Sequence, residues 1–185
     1  MKKVMLLAGA GQIGMAIARR MGAGMKIVVG DKKIGNAQAI ARTMNEAGFD
    51  VVPMEMDLSS RESIKALIAE GQKYGPIQML VNAATKNGSW PRLWNGASGV
   101  RGLTTSPPGI IVTPLALDEF NGPRRDFYKN MFAKCPAGRP GTADEVANVA
   151  ELLMSDKGAF FSDSTFLIDG GATASYYYGP LKPET

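Results

Sequence analysis

Three glycines at fixed spacing carry the first chemical signal in this chain of 185 residues. They are Gly9, Gly11 and Gly14, a G-x-G-x-x-G run that also takes in Gln12 and Ile13, followed downstream by Asp31 and Lys32. Each glycine has a task at a phosphate-bearing ligand. Gly9 allows a tight turn, Gly11 lets backbone approach a pyrophosphate, and Gly14 lets a helix pack closely on a strand. The helix N-terminus that follows offers free N–H groups and a partial positive charge to an anion. An acidic residue about 20 positions on, here Asp31, is placed to accept hydrogen bonds from the ribose hydroxyls of an adenosine. Glycines alone equally mark a flexible turn. It is the order strand, glycines, helix, strand and acid that makes them a dinucleotide site. No Gly-Lys-Ser/Thr closes the run, which excludes a Walker-type phosphate loop.

The elements that must hold these residues read as alternating strands and helices. Val4 to Ala8 is a short apolar run with the length of a buried parallel strand. Met15 to Met21 reads as an amphipathic helix with Arg19 and Arg20 outward, and Lys26 to Gly30 as a second strand ending on Asp31. From Ile34 to Ala47 the apolar residues Ile34, Ala37, Ala41 and Met44 keep a helical spacing, and Gly48 closes the segment. Val51 to Met56 is a third strand, followed by Asp57-Leu58-Ser59-Ser60. Either serine can cap the helix Arg61 to Gln72, whose apolar face is Ile64, Leu67 and Ile68. Ile77 to Val81 is a fourth strand, ending in Asn82-Ala83-Ala84. This alternation predicts an α/β fold built on a parallel sheet with right-handed crossovers.

Composition narrows the function classes. With 45% hydrophobic and 21% charged residues the chain reads as a globular protein, one domain over 1–185. The net charge of +4 is spread along the sequence, so it marks a solvated surface and no nucleic-acid partner is expected. The chain contains no histidine, which removes Ser-His-Asp catalysis and the usual zinc ligand sets; no metal site is expected. Its one cysteine, Cys135, cannot form an internal disulfide and reads as a small buried apolar residue in a reducing, cytoplasmic setting. Lys2-Lys3 before Val4 to Ala8 imitates a signal peptide, but the apolar run is too short, and no membrane partner is expected.

With Asp57-Leu58 and Asn82-Ala83-Ala84 added to the glycine run and Asp31, the first half is similar to the short-chain dehydrogenase/reductase family. The family usually spaces its glycines T-G-x-x-x-G-x-G, a slight departure. The resemblance implies a Rossmann-type doubly wound parallel sheet. It further implies that Asp57 and Leu58 face the adenine and that Asn82, Ala83 and Ala84 lie beside the adenosine ribose. The segment Ser106 to Pro114 resembles the family's S-P-G-x-V-x-T-P turn with one extra proline. By that likeness Pro108, Gly109, Ile111 and Thr113 would hold the nicotinamide carboxamide. Gly138-Arg139-Pro140-Gly141-Thr142 and the residues after it resemble a family helix start, with Thr142 as N-cap and Glu145 completing a capping box. Thr165 to Ile168 with Asp169-Gly170-Gly171 resembles the family's last strand. Leu115 to Phe132 falls where the family carries its substrate lid, and its aromatics Phe120, Phe127, Tyr128 and Phe132 suit either core or substrate contact. The implied activity is NAD(P)-dependent hydride transfer between a secondary alcohol and a ketone. Asp31 would repel a 2′-phosphate and favours NAD; Lys32 and Lys33 could offset it, which keeps NADP as the alternative.

The middle of the chain departs from this pattern. Between Ala84 and Pro108 the family carries a fifth strand ending in serine and a helix with Tyr-x-x-x-Lys, in which tyrosine is the acid/base and lysine lowers its pKa. Tyr178 and Lys182 have the spacing, but Gly179 and Pro180 between them break the helix that would align the pair. The stretch 85–106 is expected to be irregular, to replace the catalytic region and to omit the usual fifth strand. It contains Trp90 and Trp94, and Lys86 is the one candidate for the catalytic lysine; a solvated loop lysine is the plainer reading. Read one nucleotide earlier, Trp90 to Gly109 can encode a peptide similar to the family's sixth strand and S-P-G turn, so a frameshifted stretch beside a deletion is one expectation. Losing the strand would leave open sheet edges, and losing its helix would remove surfaces by which family members often form homo-oligomers. A catalytically inactive dinucleotide-binding remnant is the second functional reading.

Overall fold

The computed structural model describes residues 1–84, 101–102, 108–161 and 166–182. Four strands and three helices alternate through the first half: β1 (Val4–Ala8), α1 (Gln12–Met21), β2 (Lys26–Asp31), α2 (Ile34–Glu46), β3 (Asp50–Glu55), α3 (Arg61–Gln72) and β4 (Ile77–Asn82). A two-residue strand β5 (Arg101–Gly102) follows, then α4 (Pro114–Asn121), α5 (Arg125–Lys134), α6 (Ala143–Met154) and α7 (Ala172–Tyr178). The sheet runs β3-β2-β1-β4-β5 with every pairing parallel. The chain therefore builds outward from β1 to β3 and then crosses to β4 on the other side of β1. That reversal leaves a crevice at the carboxyl ends of β1 and β4, the place where open α/β sheets bind ligands.

Strand β1 is buried along its whole length because helices cover both faces of the sheet. Its side chains alternate. Met5 and Leu7 join a cluster with Ile17 of α1, Ala37, Ala41 and Met44 of α2, and Ala147, Ala150 and Met154 of α6. Val4, Leu6 and Ala8 face the other way, toward Val28, Met56 and Leu67 of α3. Helices α1 and α6 lie against each other, tied at the surface by Arg20 to Glu151 at 3.0 Å and Arg19 to Asp144 at 3.5 Å.

The helix starts follow their side chains. Ser60 Oγ accepts from Ser63 N–H at the start of α3, which decides between the two serines. At α6 the capping box closes in both directions. Thr142 Oγ1 accepts from Glu145 N–H at 3.2 Å, and Glu145 Oε2 accepts from Thr142 N–H at 2.8 Å. Arg139 grips the same carboxylate at 3.0 and 2.7 Å and, more than the backbone bond, holds its pKa down to about 2 from an ordinary 4.5. A depressed carboxylate contributes stability above its unfolded value and loses it as pH falls through the folded one. Melting temperature should therefore fall between pH 4.5 and about 2, and Glu145→Gln should flatten part of that slope. Thr142→Ala should cost about 1 kcal/mol in a urea unfolding curve.

Two expectations need correcting. The stretch 85–106 is not irregular throughout: Arg101 and Gly102 pair in parallel with Met79 and Leu80, so part of the β4 edge is closed. An edge strand left unpaired is a template that the nearest extended segment takes up. Of the last expected strand, Phe166, Leu167 and Ile168 form none; Ile168 accepts one bond from Gly109 N–H at 2.9 Å, and no parallel ladder follows it among the described residues. Thr165, Lys86, Trp90 and Trp94 lie outside the described residues. Cys135 is buried, and that burial pushes its thiol pKa up, as expected of an apolar filler. No helix among the described residues is long and apolar enough to cross a membrane, and none of their His, Cys, Asp or Glu cluster as metal ligands.

Candidate functional site

The glycine loop is shaped by backbone crowding. Gly9 adopts φ +100°, and a Cβ there would lie 2.6 Å from Ala84 N and 2.7 Å from the Ala83 carbonyl carbon. Its N–H donates to Gly30 O at 2.7 Å, while Ala83 N–H donates to Ala8 O at 2.7 Å, so the loop is pinned between β2 and the end of β4. Gly14 sits on the loop: its Cβ would meet Gly9 O at 2.7 Å and Leu7 Cδ1 at 3.1 Å. Gly11 differs. A Cβ there meets nothing within 4 Å, so protein packing does not demand glycine at this position. The open space above it has room for a phosphate group. Gly11 is also the N-cap of α1, with no side chain capping it and no acidic residue in the first turn. The N–H groups there are free to meet an anion.

Around this loop lies a cavity of about 960 Å³ at the switch between β1 and β4. Of the residues expected from sequence, Gly9, Gly11, Gln12, Ile13, Asp31, Lys32, Asp57, Leu58, Ala83, Ala84 and Thr113 line it. Gly14, Asn82, Pro108, Gly109 and Ile111 do not. Gly14 supports the loop from below, and Asn82 Oδ1 accepts from Ala84 N–H at 3.2 Å, turning the chain at the end of β4. Gly109 packs on Asp169, where a Cβ would come within 2.7 Å of its Cα. Ile111 is buried and bridges to Gly141. Thr113 caps α4 through Ala116 N–H at 3.2 Å and brings Pro114 and Leu115 to the cavity wall.

Sequence reading missed one wall. Asn36, Ala39, Ile40 and Thr43 of α2 line the cavity. They recur at i, i+3, i+4 and i+7, the same helical period as the core stripe Ala37, Ala41 and Met44, displaced around the helix. The signal was present; nothing local says that this second stripe faces a cavity rather than water.

The polar rim is tightly bonded. Asp31 Oδ2 accepts from Ala10 N–H at 2.9 Å, and its Oδ1 accepts from Lys33 N–H at 2.9 Å and Asn36 Nδ2 at 3.3 Å. Asp57 Oδ1 accepts from Ser59 N–H at 2.8 Å and from the Ser59 hydroxyl, while Lys32 Nζ lies 2.9 Å from Asp57 Oδ2. The Ser59 bonds first, and then Lys32, hold the Asp57 carboxyl far below the usual carboxylate range.

The chain contains five tyrosines, all described, and none lines the cavity. Tyr74 donates to Glu70 at 2.9 Å at the opposite end of the sheet, with Lys26 Nζ 4.5 Å over its ring. Tyr128 donates to Glu119 and packs edge-on against Phe120. Tyr176, Tyr177 and Tyr178 belong to α7, which ends at Tyr178, so Lys182 stands beyond the helix end. Phe132 stacks on Tyr128 and Phe120 meets both rings edge-on within the α4–α5 pair, and none of the three lines the cavity.

Comparison with known proteins decides the family. A short-chain dehydrogenase/reductase of Alternaria brassicicola is 31% identical over 264 aligned positions, which take in 94% of this chain and 96% of the relative. The chain belongs to the short-chain dehydrogenase/reductase family. Two family profiles agree, one described as short chain dehydrogenase over residues 2–93 and one as enoyl-(acyl carrier protein) reductase over residues 95–173. A 3-alpha-(or 20-beta)-hydroxysteroid dehydrogenase of Mycobacterium tuberculosis is 26% identical over 137 residues, 74% of this chain but only 46% of that relative. Solved structures share the fold. An actinorhodin polyketide ketoreductase with NADPH superposes at TM-score 0.76 with 19% identity, over 92% of this chain and 97% of that one. The L-sorbose reductase of Gluconobacter frateurii, complexed with NADPH and L-sorbose, gives 0.73 with 20% identity, over 92% and 96%. The alignment to the Alternaria protein is longer than this 185-residue family member, so it carries gaps on this chain's side.

Proposed function

We propose that this short-chain dehydrogenase/reductase binds NAD(P), with NAD preferred, in the cavity between β1 and β4, and that 1–185 forms one dinucleotide-binding domain. The observation that carries the reading is the open space over Gly11 at the start of α1: crowding accounts for glycine at 9 and 14, whereas at 11 a Cβ would meet no protein atom, which leaves room for a pyrophosphate at the helix N-terminus. Gly11, Gln12 and Ile13 would meet the pyrophosphate, Asp31 the adenosine ribose, and Asp57, Leu58, Ala83 and Ala84 the remainder of the adenosine half. Thr113, which lines the same cavity, would meet the nicotinamide half, with Pro108, Gly109 and Ile111 in the turn that leads to it. The bound group would supply or accept hydride, and the family's substrate class is a secondary alcohol or ketone. A single cysteine, buried and unable to form an internal disulfide, suits a cytoplasmic protein.

A second reading, binding without turnover, has its own observation: no tyrosine reaches the cavity to move the proton that hydride transfer to a ketone requires. Among the described residues lining it, hydroxyls come only from Thr43, Ser59 and Thr113. Serine and threonine are far weaker acids than tyrosine, whose own pKa of about 10 already needs a neighbouring cation to be useful. Lys86 alone could not replace it. The gapped alignment supports loss of an internal segment, and sequencing the gene tests whether Trp90 to Gly109 is also read in a shifted frame. Calorimetric titration with NAD and NADP, beside NADH and NADPH oxidation with a panel of ketones, separates the readings. Turnover overturns the second reading; binding with no turnover overturns hydride transfer by this chain and leaves the dinucleotide site standing.

Asp31 should set affinity. Asp31→Ala removes a charged acceptor for the ribose and for Ala10 N–H, so NAD should bind roughly ten- to a hundredfold more weakly. NADP should lose less, and equal losses for both would refute the role.

A further inference from the structure

Lys32 is the only cation lining the cavity among the described residues, and it follows directly on Asp31 at the end of β2. A lysine there is the natural partner for a phosphate on the adenosine ribose, yet its ammonium is already engaged, 2.9 Å from Asp57 Oδ2. Asp57 is itself fixed: its other oxygen accepts from Ser59 N–H at 2.8 Å and from the Ser59 hydroxyl, so the carboxylate cannot follow the lysine elsewhere. The lysine pairs with Asp57 while the Asp31 oxygens accept from Ala10, Lys33 and Asn36, which leaves an acceptor position on Asp31 for a ribose hydroxyl. The three side chains Asp31, Lys32 and Asp57 leave the rim with one net negative charge.

We propose that Asp57 is a positioning residue that selects a free 2′-hydroxyl over a 2′-phosphate by keeping Lys32 in an ion pair. The proposal rests on dinucleotide binding in this cavity. A ribose hydroxyl leaves the Lys32–Asp57 pair intact. A 2′-phosphate must draw the ammonium away and leave the Asp57 carboxylate unpaired beside a dianion. That carboxylate remains charged through the neutral range, since its Ser59 bonds favour the ionised form. An exposed pair of this kind is worth up to about fivefold in an equilibrium.

The test is a double-mutant cycle on the full chain, reading the ratio of NADP to NAD dissociation constants by calorimetry. Asp57→Asn keeps an Oδ1 acceptor for Ser59 N–H and so keeps the turn, while it releases Lys32; far-ultraviolet circular dichroism verifies folding. Asp57→Ser, whose hydroxyl also suits such a turn, is the second variant if the first is unstable. Either should shift the ratio about fivefold toward NADP. In the Lys32→Ala background the same substitution should shift it by no more than about twofold, since no lysine remains to be released. A shift as large or larger without Lys32 means that Asp57 repels the phosphate directly and overturns the proposal. An unchanged ratio in both backgrounds overturns it too. Failure of the parent chain to bind either dinucleotide overturns the binding reading, and this inference with it.

Discussion

Gly11→Val should lower dinucleotide affinity by up to about a hundredfold and cost no more than about 1 kcal/mol of stability, the loss of a good N-cap residue, whereas Gly9→Val should damage the fold itself. At Gly11 the backbone has φ −103°, which any residue adopts, and a Cβ projects into open space. The added isopropyl group then occupies the room a pyrophosphate needs, and overfilling a fitted site costs about 1–3 kcal/mol. At Gly9 the φ of +100° is strained for any side chain, and the obstructing atoms are the backbone of Ala83 and Ala84. Backbone pinned by the Gly9–Gly30 and Ala83–Ala8 hydrogen bonds cannot step aside. Strain and overpacking together should remove about 3 kcal/mol or more from a total stability of order 5–15 kcal/mol. Urea unfolding measures the second effect and calorimetry the first. Loss of binding at Gly9 without loss of stability would refute the distinction between the two glycines.

Leu7→Ala should cost about 2–5 kcal/mol, read from the urea midpoint. Leu7 is fully buried in β1, the middle strand of the sheet, in the cluster shared by α1, α2 and α6. Its Cδ1 also lies under Gly14, so truncation leaves a void where the helix rests on the sheet. The loop above should loosen and dinucleotide affinity fall with it. Leu152→Ala, at a side chain 42% exposed on α6, should change stability by less than about 0.5 kcal/mol. Equal costs at the two leucines would contradict the burial argument.

Much of the first half was legible because its signals are local. The limits of β1 and α3 coincide with the sequence reading, and those of β2, α2, β3 and β4 fall within a residue of it. The first helix begins earlier than expected, at Gln12 instead of Met15, because Gly11 serves as its N-cap and the last glycine of the run lies inside it. The Thr142 capping box was legible for the same reason, its two partners standing three residues apart. The region after Ala84 was less legible. Arg101 and Gly102 carry no strand period, and their pairing depends on an available β4 edge far back in the chain. Phe166 to Ile168 has a strand's composition and no ladder partner among the described residues.

By itself, then, the sequence determined the parallel α/β order, the glycine loop, its downstream acid and the absence of a helical Tyr-x-x-x-Lys, since each is written in residue type and short spacing. The tertiary structure alone decided what those residues meet. It set β4 on the far side of β1 and so opened the cavity; it turned a second stripe of α2 into a wall. It joined Lys32 to Asp57 and kept all five tyrosines away from the site. A side-chain period records that a face is covered, whereas the identity of what covers it depends on strand order and crossovers that bring distant segments together.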